Sequence, residues 1–244
     1  MKSVYITGAQ GMLGRAVSSL FRDRYELYPA DLGEVDIRQP DLIIDDICRH
    51  EPDLVMHLAA MTDVDLCEEE PDEAYSVNAL GTRNVALACQ RSGAVMVYIN
   101  TGSIYDGSKD TPYTEYDPPG PLNVYGRSKY AGELYVRELL SRFYIFYTCW
   151  MFGGGAEDKK FVAKIIDLAR QNRELSVVDD KRGSPTYTVD MASAMFHFVE
   201  TGLFGRYHCA NKGRVNRFEV ASAVLEAAGV EGCTLRRVPS SEFD

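Results

Sequence analysis

Short runs of β-branched and aromatic residues alternate with longer helical patterns along most of the chain, and this alternation restricts the fold more than any other feature. Candidate strands at residues 4–6, 26–28, 54–57 and 95–99 are separated by candidate helices at 12–21, 42–49 and 73–91. The pattern continues with helices at 125–140, 161–171 and 189–198 and strands at 144–149, 175–178 and 207–209. Such alternation predicts an α/β fold, a Rossmann-type doubly wound parallel sheet with helices on both faces. Pro- and Gly-rich segments interrupt the second half at Pro118-Pro119-Gly120-Pro121, Gly153-Gly154-Gly155 and Gly183-Ser184-Pro185-Thr186. Residues 1–150 are therefore expected to form a dinucleotide-binding domain, to which later elements return. Residues 151–244 are expected to form mainly a small C-terminal substrate-binding lobe.

The first candidate strand runs into Thr7-Gly8-Ala9-Gln10-Gly11-Met12-Leu13-Gly14 and then an apolar-periodic helix. In that setting Gly8 permits a tight turn, Gly11 lets backbone approach a pyrophosphate, and Gly14 allows close packing. Phosphate would sit on the helix amino terminus, with Gln10, Met12 and Leu13 around it. Glycines at this spacing also occur in plain turns. Asp31 decides for a nucleotide, because it follows the second strand where a carboxylate can hold the adenosine ribose hydroxyls. Its other reading is a turn residue after Pro29. Leu32, Gly33 and Glu34 offer no cation for a 2′-phosphate. NADH is thus easier to accommodate than NADPH, unless a basic residue arrives from elsewhere in the chain.

Asn123-Val124-Tyr125-Gly126-Arg127-Ser128-Lys129 places a phenol and an ammonium one turn apart at the start of a helical pattern. At about 4 Å and an effective dielectric of about 20, a unit charge contributes about 4 kcal/mol. That is enough to bring a phenol down from its usual pKa of about 10 by two or three units. Lys129 is therefore expected to lower the pKa of Tyr125 and make it a proton donor near neutrality. A second Tyr-x-x-x-Lys, Tyr105 and Lys109, runs through Asp106, Gly107 and Ser108, which mark a loop. Only Tyr125 and Lys129 are expected to share a helix face.

A formal charge of −10, with acidic residues spread along the chain, speaks against a nucleic-acid partner. Glu68-Glu69-Glu70 reads as a solvated helix entry. The amino terminus enters a short strand directly, without an apolar stretch suited to a signal peptide or membrane span, so a cytoplasmic protein with no membrane partner is expected. The six cysteines lack Cys-x-x-Cys spacing and read as free, mostly buried thiols. No metal site is expected, and the four histidines read as structural.

Taken as a set, these residues resemble the extended short-chain dehydrogenase/reductases, and within them the dTDP-4-dehydrorhamnose reductases. The resemblance covers nearly the whole chain and is carried by Gly8 to Gly14, Asp36-Ile37, Pro52-Asp53, the run Ala59-Ala60-Met61-Thr62-Asp63-Val64-Asp65, Val77-Asn78-Ala79, Pro121 to Gly126, and Val178-Asp179-Asp180 leading into Gly183-Ser184-Pro185-Thr186. It implies a cofactor, NADH or NADPH, and a nucleotide-sugar substrate. Tyr125 would be the proton donor and Lys129 its partner, the lysine also bonding the nicotinamide ribose. Thr101 would hold the substrate carbonyl oxygen, although a strand-end hydroxyl can also bond its own backbone. Asp36 and Ile37 would border adenine, while Ala59, Ala60 and Asn78 match cofactor-contact or framework positions. Thr62, Val64, Asp65 and Trp150 match places near the sugar or nucleotide, and Trp150 is also a candidate for the core. Hydride would pass to the C4 carbon of a 4-keto-6-deoxy sugar as Tyr125 protonates the oxygen.

The chain departs from the family pattern in three places. Gly102-Ser103 stand where Asp-Tyr is usual after the threonine, which alters the pocket edge. Arg15-Ala16 occupy the region of a magnesium-bound glutamate that bridges some dimers, so a monomer or a homodimer without that metal is expected. The sequence stops at Glu242-Phe243-Asp244, where relatives continue with an Arg-Pro segment, so a truncated chain or an open pocket is expected. Two other functions share these features. One is a nucleotide-sugar epimerase that retains NAD; the other is a non-catalytic NAD(P)-binding subunit resembling the regulatory partner of methionine adenosyltransferase.

Overall fold

The computed structural model describes residues 2–155, 158 and 160–243. Its first half runs β1 (Lys2–Thr7), α1 (Met12–Phe21), β2 (Tyr25–Ala30), α2 (Pro40–His50), β3 (Leu54–His57), α3 (Val64–Glu69), α4 (Pro71–Tyr75), a π-helical stretch (Ser76–Gly81), α5 (Thr82–Ser92) and β4 (Val95–Thr101). Then follow α6 (Val124–Leu139), β5 (Phe143–Thr148), β6 (Met151–Phe152), α7 (Phe161–Gln171), β7 (Glu174–Val178), β8 (Arg182–Gly183) and β9 (Thr186–Tyr187). The chain closes with α8 (Thr188–Thr201), β10 (Gly205–His208), β11 (Val215–Asn216), α9 (Arg217–Ala227) and β12 (Thr234–Val238).

Two compact units result, one of Met1–Thr148 with Met191–Cys209 and the other of Cys149–Asp190 with Ala210–Asp244. The larger holds a six-stranded sheet in the order β10-β5-β4-β3-β1-β2, every pairing parallel. This is the Rossmann-type parallel sheet that the strand-helix alternation predicts. Strands β1, β3 and β5 are buried almost end to end, as a parallel sheet covered on both faces requires. On one face, Tyr5, Val55, Met96, Tyr98 and Ile145 pack in one cluster with Ile43 and Ile47 of α2, Val85 of α5 and Val136 of α6. On the other, Phe21 of α1 meets Phe196 of α8 with ring centroids 5.0 Å apart. The strand order reverses between β1 and β3, and in open sheets of this kind ligands bind beyond the carboxyl ends of the strands at that point.

The smaller unit is built from three two-stranded pairings, β7 with β12, β6 with β9 and β8 with β11. Helices α7 and α9 cover the first of these around Ile165, Val177 and Ala221, with Phe161 and Phe218 packed against them. Helix α9 and strand β12 lie outside the elements expected from the sequence. The start of α9 was legible, because Asn216 and Glu219 form a capping box in which each side chain accepts the other's backbone N–H.

Residues 73–91, expected as one helix, are instead interrupted by the π-helical stretch Ser76–Gly81. Packing against α6 accompanies the interruption. A Cβ on Gly132 would lie 2.4 Å from the Asn78 carbonyl oxygen and 2.8 Å from the Tyr98 hydroxyl, so only glycine lets α6 approach this closely. Thiol burial is also less than expected: Cys67 and Cys89 are buried, whereas Cys48, Cys149, Cys209 and Cys233 are partly exposed, and all six are free. Cys149 and Cys209 follow immediately on the last residues of β5 and β10. No described helix is long and apolar enough to cross a membrane. Among the described residues no group of three or more His, Cys, Asp or Glu side chains could hold a metal ion.

Candidate active site

The loop after β1 turns at Gly8, whose φ is +71° and whose missing Cβ would lie 2.8 Å from the Ala59 amide nitrogen. A side chain there would meet both conformational strain and the backbone that follows β3. Gly14 leaves equally little room, since a Cβ would stand 2.3 Å from the Gly8 carbonyl oxygen. These two contacts set α1 directly on the loop. Leu13 is buried beneath it, while Gln10 and Gly11 are exposed and Met12 is half-buried.

A cleft of about 520 Å³ opens between the β1 loop, the end of β2 and the segment after β3. Its volume lies within the range of small-molecule and cofactor sites. Gly8, Gly11, Asp31, Asp36, Ile37, Ala59 and Ala60, all expected at the cofactor, line it together. The Asp31 carboxylate accepts the backbone N–H of Gln10 at 3.1 and 3.2 Å, which ties the second strand to the glycine loop. The bare backbone at Gly8 and Gly11 and the acceptor at Asp31 are the features a dinucleotide needs here, so the residues fit such a cofactor.

Arg38, which is not among the expected site residues, also lines this cleft. Its guanidinium donates to Asp36 at 2.7–3.0 Å and also to Glu73. Those hydrogen bonds hold the Asp36 carboxyl below its ordinary range. The Asp-x-Arg spacing at 36–38 was the available signal. A cation thus stands in the same cleft as Asp31, the circumstance under which the expected NADH preference would change.

Thr101 ends β4, where its N–H donates to the Asn100 side-chain oxygen at 2.8 Å and its hydroxyl accepts the Ser103 N–H at 3.1 Å. Helix α6 begins at Asn123, whose side chain accepts the Gly126 N–H at 2.7 Å and so fixes the turn that carries Tyr125. The Thr101 hydroxyl lies near enough to the Tyr125 phenol to lower its pKa, which brings the two expected catalytic groups together. Lys129 follows one turn later, buried, with Nζ 4.2 Å from the centre of the Tyr98 ring.

Electrostatics at this pair correct the sequence-based expectation. Desolvation pushes the Tyr125 phenol up to about 12, and the nearby Thr101 hydroxyl only partly offsets it. Desolvation likewise brings the Lys129 ammonium down to about 7. A lowered phenol was expected from the neighbouring charge. Burial wins instead, because each group's charged form loses hydration in the same enclosed place. The phenol therefore stays protonated across neutral pH, the form a proton donor requires.

Asn78, expected at the cofactor or the framework, has its amide fully engaged by protein. Its oxygen accepts the Met61 N–H at 2.9 Å, and its nitrogen donates to the Met61 carbonyl and the Ser128 hydroxyl, both at 3.0 Å. Ser128 in turn donates to the Tyr125 carbonyl at 2.9 Å. Asn78 thus joins the segment after β3 to the first turn of α6 as a framework residue. Thr62, Val64 and Asp65 are exposed at the entry to α3. Trp150 lies in the smaller unit, at a left-handed φ of +48°. The alternative pair behaves as expected: Lys109 sits in a loop and pairs with Asp117 at 2.6 Å.

Glu133, likewise outside the expected site residues, is fully buried one turn beyond Lys129 on the same face of α6. It accepts from the Asn100 amide at 2.6 Å and the Tyr147 hydroxyl at 2.8 Å. Glu133, Asn100 and Thr101 therefore form a chain of contacts that sets the end of β4. Glu133→Gln leaves Tyr147 facing an amide and is expected to lower stability by about 1–3 kcal/mol. It should also reduce kcat while leaving the Kd of the cofactor unchanged. Thermal unfolding and steady-state kinetics would check this, and an unaltered kcat would show that the carboxylate serves packing alone.

His57 is buried between Thr7 and Thr82, with hydroxyl contacts at 2.8 and 3.0 Å, and desolvation brings its imidazole down to about 3. It is a neutral structural residue, as expected for the histidines.

The sequence profile of the RmlD substrate binding domain matches residues 1–244. A dTDP-4-dehydrorhamnose reductase of Mycobacterium tuberculosis is 38% identical over 244 residues, covering 98% of this chain and 79% of that protein. The spore coat polysaccharide biosynthesis protein SpsK of Bacillus subtilis is 36% identical over 236 residues, 96% of this chain and 82% of that one. Among solved structures, a dTDP-4-dehydrorhamnose reductase from Bacillus anthracis in complex with NADP superposes with a TM-score of 0.95 at 38% identity, over 100% of this chain and 86% of that chain.

Proposed function

The chain belongs to the RmlD substrate binding domain family of NAD(P)H-dependent oxidoreductases, and from that membership we propose that it reduces the C4 keto group of a nucleotide-linked 4-keto-6-deoxy sugar, dTDP-4-dehydrorhamnose or a close analogue. The observation that carries this reading is the approach of the Tyr125 phenol on α6 to Thr101 at the end of β4, with Lys129 one helical turn further along α6, in a chain matched along its whole length.

Gly8, Gln10, Gly11, Met12 and Leu13 hold the cofactor phosphates, Asp31 the adenosine ribose, and Asp36, Ile37, Ala59 and Ala60 border the adenosine half. When bound, the nicotinamide supplies the hydride. Tyr125 gives its proton to the carbonyl oxygen of the sugar as negative charge develops there. Thr101 holds the same oxygen, so the two hydroxyls act as an oxyanion site. Lys129, one turn beyond the phenol on α6, would bond the nicotinamide ribose. Thr62, Val64 and Asp65 contact the sugar or its nucleotide. Remote binding energy from the nucleotide diphosphate aligns the ketone with these groups.

The test is to mix the protein with dTDP-4-keto-6-deoxymannose and NADPH or NADH and follow the loss of the reduced nicotinamide. Decay that depends on the sugar is expected. Epimerised product with no net cofactor consumption would assign the chain to the epimerases. Absence of turnover with either cofactor would leave a binding subunit as the better reading.

A further inference from the structure

His57 closes β3 with both ring nitrogens in hydrogen-bond contact and 1% of its surface exposed. The direction of each bond follows from its neighbours. Thr82 has one hydroxyl hydrogen and donates it to the Asn78 carbonyl at 2.7 Å, so toward the imidazole it can only accept. Nε2 therefore carries the proton and donates to Thr82 at 3.0 Å. Nδ1 is left bare and accepts from the Thr7 hydroxyl at 2.8 Å. The Thr7 oxygen in turn accepts the backbone N–H groups of Leu58 and Ala59 at 3.2 and 3.3 Å. An imidazolium would set a further N–H against that oxygen. One neutral tautomer satisfies every group along the path.

The two ends of the path lie in different parts of the candidate site. Thr7 immediately precedes Gly8, and Ala59 lines the cleft read as the cofactor site. Asn78 stands at the other end, where its amide donates to Ser128, which donates to the Tyr125 carbonyl. A second connection runs through the ring itself. His57 stacks on Tyr98 with centroids 5.8 Å apart and planes 17° from parallel, and the Tyr98 hydroxyl donates to the Lys129 carbonyl at 2.8 Å. The imidazole thus joins the strand ends that shape the glycine loop to the helix turn that carries Tyr125 and Lys129.

We propose that His57 is a positioning residue whose Nε2–H tautomer sets the spacing between the glycine loop and the first turn of α6, and thereby the alignment of hydride donor and ketone. It exchanges no proton and touches neither reactant. This rests on the proposed reduction, in which the loop holds the cofactor and Tyr125 gives the proton. A misplacement of about 1 Å at a reacting centre costs about 10²-fold in rate, so a buried hydrogen-bond path can act on turnover without meeting the substrate.

Nitrogen NMR of the cofactor-free protein should show a protonated Nε2 and a bare Nδ1 on His57 from about pH 5 to about pH 9. Thr7→Val and Thr82→Val remove the hydroxyls at opposite nitrogens of the ring. Each should lower kcat about 10- to 100-fold, and deuterium at the transferred position of NADPH should slow the variants more than the wild type. The Kd of Thr82→Val for NADPH should stay within about twofold of the wild type, because the glycine loop itself is untouched. Since both variants break one path, the double variant should lose no more than the larger single loss. Amide hydrogen exchange at residues 126–129 should quicken at least about threefold in ligand-free Thr7→Val, although Thr7 lies at the far end of the path. A charged or Nδ1-protonated imidazole would overturn the proposal, as would losses that multiply in the double variant. Should Thr7→Val or the double variant not fold, a folded Thr82→Val protein with wild-type kcat overturns it equally. Wild-type protein that turns over no keto sugar removes the proposed reaction; the tautomer and the exchange rates then decide this inference on their own.

Discussion

Tyr125→Phe is expected to reduce kcat by about 10²- to 10⁴-fold, the usual contribution of a positioned general acid. The Kd for NADH or NADPH should stay nearly unchanged, because the ring and the helix that carries it remain. The hydroxyl removed is the one that Thr101 approaches and that burial, pushing its pKa up to about 12, keeps protonated at neutral pH. Two measurements check this: single-turnover reduction of the keto sugar, and cofactor titration of the variant. Parallel loss of turnover and cofactor affinity would instead mean that Tyr125 supports the fold of the site. Because burial outweighs any charge effect on this phenol, its role rests on position and protonation, and less on acidity than the i,i+4 spacing alone implies.

Asn78→Ala should produce the second large effect. Three hydrogen bonds disappear together, and the Met61 N–H, the Met61 carbonyl and the Ser128 hydroxyl each lose a partner. Asn78 is only 1% exposed, so water replaces these partners poorly. Loss of a buried partner costs about 1–3 kcal/mol, so the variant should lose at least about that much in stability. Activity should fall further than the unfolded fraction explains, since both the segment after β3 and the first turn of α6 are released. Denaturant unfolding alongside kcat at a temperature where the variant is fully folded would separate the two. Full activity in the folded variant would limit Asn78 to stability.

The larger unit was legible because its strands and helices repeat at their own periods and because glycine marks β1's exit so narrowly. Gly8, Gly11, Asp31, Ala59 and Ala60 come from three separate strand ends, yet the parallel order brings them to one cleft. What the sequence withheld was of another kind. Arg38 and Glu133 are ordinary charged residues by pattern, and only packing reveals that one enters the cleft and the other is fully enclosed. The acidity of Tyr125 was misjudged because spacing gives the distance between charges but not the dielectric around them. The smaller unit was hardest to read: its strands of two residues at β6, β8, β9 and β11 are too short to show any period.

The π-helical stretch at Ser76–Gly81 carries one consequence for how this chain tolerates change. Such a stretch is an α-helix that has absorbed one surplus residue, which offsets the winding on its two sides by about 100°. Excising a single position there would leave a smoother, better-wound rod, and as local structure it would improve. The same excision would rotate the Asn78 amide away from Met61 and Ser128. In this region a regular winding and the Asn78 contacts exclude each other, so the irregular turn is the version that keeps the segment after β3 tied to α6.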